Sequence, residues 1–129
     1  MHRIFFFLIT SLFLLNGCSI RQSQENPYHQ ITMQEALEMM QAQTDHLILD
    51  VRTAEEYRSG HIPDAVNIPN ETIGSSAIPN LPNKEQQIFV YCRSGNRSKQ
   101  AAGKLAKLGY TNVFEIGGIS AWPGKIVTE

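Results

Sequence analysis

This sequence lacks the features that identify membrane-spanning, nucleic-acid-binding, repeat and metal-binding proteins. Its 129 residues include two cysteines, Cys18 and Cys92, and one tryptophan. No apolar run reaches the roughly 20 residues that a membrane-spanning helix needs. The formal net charge of −1 gives no basic excess for nucleic acid and no acidic tail. There is no internal repeat, and no histidine, cysteine and aspartate cluster has metal-ligand spacing. These absences favour one small globular domain without a nucleic-acid partner or a bound metal.

The amino terminus has the pattern of an export signal. A short positive start precedes a 12-residue apolar run that ends at Leu15, and a run of this length suits the core of a signal peptide. The sequence LLNGC, which ends at Cys18, resembles the lipobox of bacterial lipoproteins, where a small residue precedes a cysteine that takes a lipid. Residues 1–17 are therefore predicted to be a lipoprotein signal peptide. An ordinary signal peptide or an uncleaved anchor is the alternative.

Lipidation of Cys18 would determine both location and cysteine chemistry. It predicts an extracytoplasmic protein held to the membrane of the bacterial cell envelope through its lipid. Cys92 would then be the one free thiol, so no internal disulfide could form in a compartment where paired cysteines normally do. Residues 18–30 are polar and aperiodic, which predicts a tether, and residues 31–129 are predicted to be the folded domain.

Helical and strand patterns alternate along residues 31–129. Capping boxes at Thr32 and Thr53 predict the starts of two helices, and an apolar stripe predicts a third helix over residues 97–108. Short apolar runs predict four strands over residues 46–51, 65–68, 88–91 and 113–116, the last of them broken by Gly117 and Gly118. This alternation predicts an α/β fold with a small, mainly parallel sheet. The ligand site of such a sheet lies beyond the carboxyl ends of its strands.

The stretch YCRSGNRS places Cys92 between the most apolar strand and the start of a helix. The first N–H groups of a helix have no internal partner, and the helix dipole adds positive charge there. Small residues allow successive N–H groups to converge on one point, and two arginines add formal charge. The thiol is therefore predicted to have a depressed pKa. The residues predicted to surround it are Arg93, Ser94, Gly95, Asn96, Arg97 and Ser98, with Ser98 also predicted as the helix N-cap.

Three blocks in this order resemble a single-domain rhodanese: LILDVRTAEEYRSGHIPDAVNIP, the cysteine loop with its helix, and the tail GGISAWPG. The resemblance implies helices on both faces of the sheet and no cofactor. It implies that Cys92 takes sulfur from a small anionic donor such as thiosulfate, holds it as a persulfide, and passes it to a thiol or cyanide acceptor. By the same resemblance, the backbone N–H groups of residues 93–98 cradle the sulfur, and Arg93 and Arg97 orient the donor.

Two further polar positions lie in the first of these blocks. Asp50 and Arg52 follow a strand and are predicted to brace the neighbouring loops at the same edge of the sheet as Cys92. His61 is assigned no catalytic role, because sulfur transfer from an ionised thiol needs no general base.

Two other functions remain open at this point. The first is a low-turnover module that carries persulfide or binds a partner, although the intact Cys92 and its two arginines argue against a degenerate module. The second is a phosphatase or arsenate reductase. Those relatives use a similar loop that is one residue longer, whereas four residues separate Cys92 from Arg97 here. The shorter loop favours a single sulfur atom over a phosphoryl group.

Overall fold

The computed structural model describes residues 26–74, 76 and 78–129. The predicted signal peptide, Cys18 and most of the predicted tether lie outside the described residues. Within the part that is described, no helix combines the length and the apolar character that crossing a membrane requires.

One sheet of five strands forms the centre of the domain. The strands are β1 (His29–Gln30), β2 (Leu47–Asp50), β3 (Val66–Asn67), β4 (Ile88–Cys92) and β5 (Val113–Gly118). Their order across the sheet is β1-β5-β4-β2-β3, and each pairing between these strands is parallel. The predicted α/β fold with a parallel sheet is therefore confirmed.

Three helices connect the strands. They are α1 (Met33–Ala42), α2 (Ala54–Ser59) and α3 (Asn96–Lys107), and two short 3-10 turns lie after β3 at Asn70–Thr72 and after β5 at Ile119–Ala121. Both predicted capping boxes are present. Thr32 and Thr53 each accept a backbone N–H with the side chain, and Glu35 and Glu56 return the bond. These caps satisfy N–H groups that would otherwise lack partners at the helix starts.

The sheet separates two apolar layers, and each layer is covered by helix. On one face, Ala101 and Leu105 of α3 pack with Val90 and Cys92. On the other face, Met33 and Ala36 of α1 pack with Phe89 and Tyr91. Because successive side chains of a strand point to opposite faces, Tyr91 and Cys92 are directed into different layers although they are adjacent in sequence.

Strands β2, β3 and β4 lie within one residue of their predicted ends, whereas two other features of the sheet differ from the sequence-based expectation. His29 and Gln30, the last residues of the predicted tether, form β1 and pair with Phe114 and Glu115 of β5. A strand of two residues has no periodicity from which to predict it. The predicted break at the glycine pair is wrong, because β5 continues to Gly118, which pairs with Cys92 across a local irregularity in the β4–β5 register.

Candidate functional site

Cys92 is the last residue of β4 and is fully buried, with 0% of its surface exposed. Its Sγ accepts the backbone N–H of Gly95 at 3.0 Å, so the loop turns back over the sulfur. Gly95 has φ +100° and is the N-cap of α3. Residues with a side chain rarely adopt this backbone conformation. Glycine is therefore needed for the turn that directs the N–H at the sulfur.

Gly118, in the tail block GGISAWPG, lies against the backbone of the cysteine loop. A Cβ atom added at Gly118 would collide with the carbonyl oxygen of Arg93 and come within 3.0 Å of the Cα of Ser94. The loop therefore lies directly against the backbone of β5. This contact explains physically why the tail block accompanies the cysteine loop in the sequence.

The surroundings of the sulfur favour its ionised form. Burial by itself opposes ionisation, but hydrogen bonds with the Ser98 hydroxyl and from the backbone N–H groups of Ser98, Gly95 and Ser94 outweigh it and lower the pKa of the Cys92 thiol. The sequence-based direction of this shift is confirmed. The main favourable causes are hydrogen bonds around the sulfur.

Ser98 does not cap the helix, so that prediction is wrong. Gly95 occupies the N-cap position without a side-chain bond, and α3 begins at Asn96. Ser98 therefore lies within the first turn of the helix and is fully buried. Its Oγ is 3.4 Å from Cys92 Sγ and 2.6 Å from Oε1 of Glu115, so it joins the thiol to a carboxylate on β5.

The two arginines of the loop are in different situations. Arg97 forms a two-pronged ion pair with Glu56 of α2, with N–O distances of 2.7 and 2.9 Å. Arg93 is exposed at the rim of the loop, as are Ser94 and Asn96. Of the two side chains predicted to orient a donor, Arg93 faces solvent, and Arg97 carries a charge that Glu56 already balances.

The ion pair between Glu56 and Arg97 predicts a pH-dependent contribution to stability. Arg97 is the main cause that lowers the pKa of Glu56 from 4.5 to about 2. A carboxyl group whose pKa is lowered by folding stabilises the fold above its unfolded pKa, and this stabilisation is lost as the pH falls through its folded pKa. Because the pair is partly exposed, we expect Glu56→Gln to cost about 1 kcal/mol at neutral pH.

Urea unfolding between neutral pH and pH 2 measures this effect. The difference in unfolding free energy between wild type and Glu56→Gln should shrink as the pH drops below 4.5 and should disappear near 2. Glu85→Gln makes the same charge change at an exposed position and serves as the control. A constant difference across this range would show that the ion pair is not its source.

Asp50 and Arg52 form a buried brace at the same edge of the sheet. The guanidinium binds the Asp50 carboxylate at 2.7 Å and also donates to the carbonyl oxygen of Gly60 at 2.6 Å. Tyr91 donates its hydroxyl to Asp50 at 2.7 Å and accepts the Ile62 N–H at 3.1 Å. Burial raises the pKa of Tyr91, so its hydroxyl keeps the proton that this bond requires. These contacts connect the ends of β2 and β4 to the segment after α2.

The brace and the thiol lie on opposite faces of the sheet. Tyr91 packs in the layer under α1, whereas Cys92 packs in the layer under α3. Asp50 and Arg52 therefore support the strand that ends in Cys92 but make no contact with the sulfur. His61 is stacked on Tyr57, with ring centroids 3.7 Å apart, and its Nδ1 bonds the Tyr57 carbonyl oxygen at 2.8 Å.

Sequence reasoning missed two acidic residues of the site, Glu56 and Glu115. Glu56 completes the capping box predicted at Thr53, and no pattern in the sequence links it to Arg97, which is 41 residues away. Glu115 left a signal in VFEI, because an acid within an otherwise apolar strand is rarely buried unless it has a partner.

The chemistry of the site follows from these contacts. A thiol with a lowered pKa, surrounded by N–H donors, is a nucleophile suited to exchange at sulfur. The exposed Arg93 lies next to it in the chain and carries a charge that attracts anions. Among the described residues, no group of three or more histidine, cysteine, aspartate or glutamate side chains is placed to hold a metal ion.

Known proteins share both this sequence pattern and this fold. A sulfurtransferase of Allochromatium vinosum is 43% identical over 81 residues, which cover 60% of this chain and 72% of that protein. Thiosulfate sulfurtransferase PspE of Escherichia coli is 37% identical over 71 residues, covering 55% and 68%. The adenylyltransferase and sulfurtransferase UBA4 of Candida albicans is 35% identical over 91 residues. The match covers 65% of this chain but only 21% of that longer protein.

A solved structure and a family model match this chain as well. A rhodanese-related protein from Thermoplasma volcanium superimposes with a TM-score of 0.67 and 28% identity, and the match covers 79% of this chain and 100% of that one. The family of the rhodanese-like domain matches residues 32–125, a range that includes α1, the Asp50–Arg52 brace, the cysteine loop and the glycine tail. With its parallel sheet and its cysteine at the end of the central strand, this chain belongs to the rhodanese-like domain family.

Proposed function

We propose that this protein is a sulfurtransferase that carries sulfane sulfur as a persulfide on Cys92. The observation that carries the proposal is the buried Cys92 sulfur, which accepts the Gly95 N–H at 3.0 Å and has a lowered pKa. The thiolate attacks the outer sulfur of a donor such as thiosulfate, the S–S bond of the donor breaks, and sulfite leaves with the electron pair. Cyanide or a thiolate then takes the outer sulfur, and the Cys92 thiolate is restored.

The loop supplies the groups that such a cycle needs. A persulfide is anionic, and the N–H groups at the start of α3 offer hydrogen bonds and the positive end of the helix dipole. Arg93 is exposed and attracts the anionic donor. Arg97 is held by Glu56, so its first role is to fix the loop against α2. A donor that binds Arg97 directly has to displace the Glu56 carboxylate.

The relatives support sulfur transfer as the general activity. Those matched over most of their own length are named a sulfurtransferase and a thiosulfate sulfurtransferase. The longer fungal relative also carries an adenylyltransferase name, and this chain spans about a fifth of its length. Thiosulfate as donor, cyanide or a thiol as acceptor, and the persulfide itself are proposals for this chain.

Paired assays test the proposed function against its two alternatives. Wild-type protein mixed with thiosulfate and cyanide should produce thiocyanate, and an aryl phosphate should remain intact. After thiosulfate alone, the intact mass should increase by one sulfur atom. Persulfide formation without thiocyanate release would favour the carrier module, and phosphate release would favour a phosphatase. The absence of both persulfide and thiocyanate would reject the proposal.

We also propose that Cys18 carries a lipid that anchors the protein to the membrane of the bacterial cell envelope. The support is the sequence pattern, an apolar run followed by Gly17-Cys18, and two or more acyl chains suffice for stable anchoring. In a bacterial expression host, Cys18→Ala should abolish incorporation of labelled fatty acid and shift the protein from the membrane pellet to the soluble fraction. Unchanged labelling and pelleting would contradict the proposal.

A further inference from the structure

Glu115 is a buried acid behind the thiol, and the sulfur chemistry described above does not use it. It is 4% exposed, while Ser98 and Cys92 are both 0% exposed. Its strand neighbours Phe114 and Ile116 pack in the layer under α1, whereas Val113 packs in the layer under α3. By alternation, Glu115 points to the face that carries α3 and Cys92. A buried acid is costly unless it has partners, so its partners indicate its role.

Three side chains form a directed chain of hydrogen bonds. The Cys92 thiol donates to Ser98 Oγ at 3.4 Å, and the Ser98 hydroxyl donates to Oε1 of Glu115 at 2.6 Å. Ser98 Oγ also lies 2.9 Å from the Gly95 carbonyl oxygen. A hydroxyl has one proton, however, and that carbonyl oxygen already accepts the Lys99 N–H. The shorter contact and the acidic acceptor direct the proton of Ser98 towards Glu115.

The carboxylate is held in place for this contact. The same Oε1 atom accepts the Gly117 N–H at 2.8 Å, in the tail segment that supports the cysteine loop. The backbone carbonyl oxygen of Glu115 accepts the Ile31 N–H at 3.1 Å, which fixes the strand from its other edge. Glu115 is therefore constrained on both sides, and the carboxylate oxygen nearest Ser98 has a defined position.

We propose that Glu115 is a positioning residue that takes up, through the Ser98 hydroxyl, the proton that Cys92 loses when it becomes a nucleophile. The S–H proton moves to Ser98 Oγ while the hydroxyl proton of Ser98 moves to Glu115 Oε1. The products are a thiolate, an unchanged serine and a carboxylic acid, so the summed charge of the three groups stays constant. Both hydrogen bonds then run in the opposite direction, from Glu115 to Ser98 and from Ser98 to sulfur.

The burial of the sulfur gives this route its importance. Cys92 has no exposed surface, so an internal acceptor is in contact with its proton before any reagent enters the site. The charged side chains of residues 93–98 are Arg93 and Arg97, which have no acceptor atom. Glu56 of α2 and Glu71 of the first 3-10 turn act on Arg97. Among the described residues, Glu115 is the acid joined to the sulfur by a chain of side-chain hydrogen bonds.

The pH profile of Cys92 alkylation by iodoacetamide tests this proposal. It rests on the proposed function only for the identity of the nucleophile. The full-length chain is used with Cys18→Ala, so that Cys92 is its one cysteine. In the wild-type site one proton is shared between Cys92 and Glu115. The alkylation rate should therefore rise in two steps as the pH increases, as expected for coupled titrations. A single step in the wild-type site would overturn the proposal.

The direction in which Glu115→Gln changes the alkylation rate distinguishes proton uptake by Glu115 from simple charge repulsion. Loss of the proton acceptor should leave a single step and lower the alkylation rate at neutral pH about tenfold, which corresponds to one pKa unit, with no change at high pH. An ionised Glu115 that merely repels the thiolate predicts a faster rate in the variant. Glu85→Gln is the matched control, because it removes an exposed carboxylate, and it should leave the profile unchanged.

Ser98→Ala and the double variant test whether the two residues act as one unit. Ser98→Ala should lower the neutral-pH rate at least as much as Glu115→Gln, and the double variant should lose no more than the larger single effect. If the two fold-changes in rate multiply in the double variant, the residues act independently, and the proposed proton transfer through Ser98 to Glu115 is overturned. The urea midpoint of each variant shows whether it is folded.

One measurement on the unmutated site keeps the proposal testable if the variants unfold. At neutral pH the infrared difference spectrum of Cys92 alkylation should show the loss of a carboxylic-acid carbonyl band, because the proton held by Glu115 leaves once the thiolate is consumed. No such loss would overturn the proposal. Sulfur loading by thiosulfate is measured separately, so a failed relay and a failed sulfurtransferase assignment give different results.

Discussion

Replacing Cys92 with serine is expected to lower thiocyanate formation by on the order of a thousandfold or more, to the rate of the uncatalysed reaction. The serine hydroxyl is not ionised at neutral pH and forms no stable bond to sulfane sulfur, so both halves of the cycle are lost. The measurement is the thiosulfate and cyanide assay together with the intact mass after thiosulfate. The mass of Cys92→Ser should stay unchanged.

The control for this result is Cys18→Ser, which removes the other cysteine of the chain. It should keep the full rate and still gain one sulfur atom. Serine is close to cysteine in volume, and the change at the buried Cys92 site should leave the urea midpoint near that of the wild type. A sulfur adduct that persists in folded Cys92→Ser would place the nucleophile elsewhere and contradict the proposed function.

Arg52→Met is expected to cause the largest loss of stability, about 3–5 kcal/mol. The change leaves the fully buried Asp50 carboxylate without its guanidinium partner and removes the bond from Arg52 to Gly60. Methionine has a similar length, so the loss reports the broken ion pair more than a large cavity. Urea unfolding followed by circular dichroism gives the free energy.

Arg58→Met is the matched control, because Arg58 is an exposed arginine in the same part of the chain. Its effect should stay within about 0.5 kcal/mol. Because the brace and the thiol face different layers, the folded fraction of Arg52→Met should still take up sulfur from thiosulfate. Equal losses in the two arginine variants would contradict the role of the brace.

The fold was predictable because its signals are local. Each capping box contains its own start signal, and the apolar run before Cys92 is long enough to indicate a buried strand. β1 was not predictable, since two residues carry no period and their pairing with β5 depends on a distant segment. The extension of β5 through Gly118 was missed for a related reason. Glycine weakens a strand by itself, but here it is required by the loop that packs on it.

The site was predictable around Cys92 and much less so around its partners. The loop residues are contiguous in sequence, so their spacing was sufficient to place N–H donors near the sulfur. The ion pair of Arg97 and the carboxylate behind Ser98 come from other elements. Glu56 lies 41 residues from Arg97 and Glu115 lies 17 residues from Ser98. Such contacts are set by how α2 and β5 pack beside α3, which no local pattern encodes.

The lengths of the strands at the sheet edges affect how the protein behaves at high concentration. The central strand β4 is buried along its whole length, and a strand of this kind aggregates readily when its edge is free. In the described part of the chain, the sheet ends instead in β1 and β3, each two residues long. So short an edge gives an incoming strand few backbone groups to pair with. With β4 at the centre and the two shortest strands at the edges, the strand order disfavours edge-to-edge pairing of sheets from two molecules.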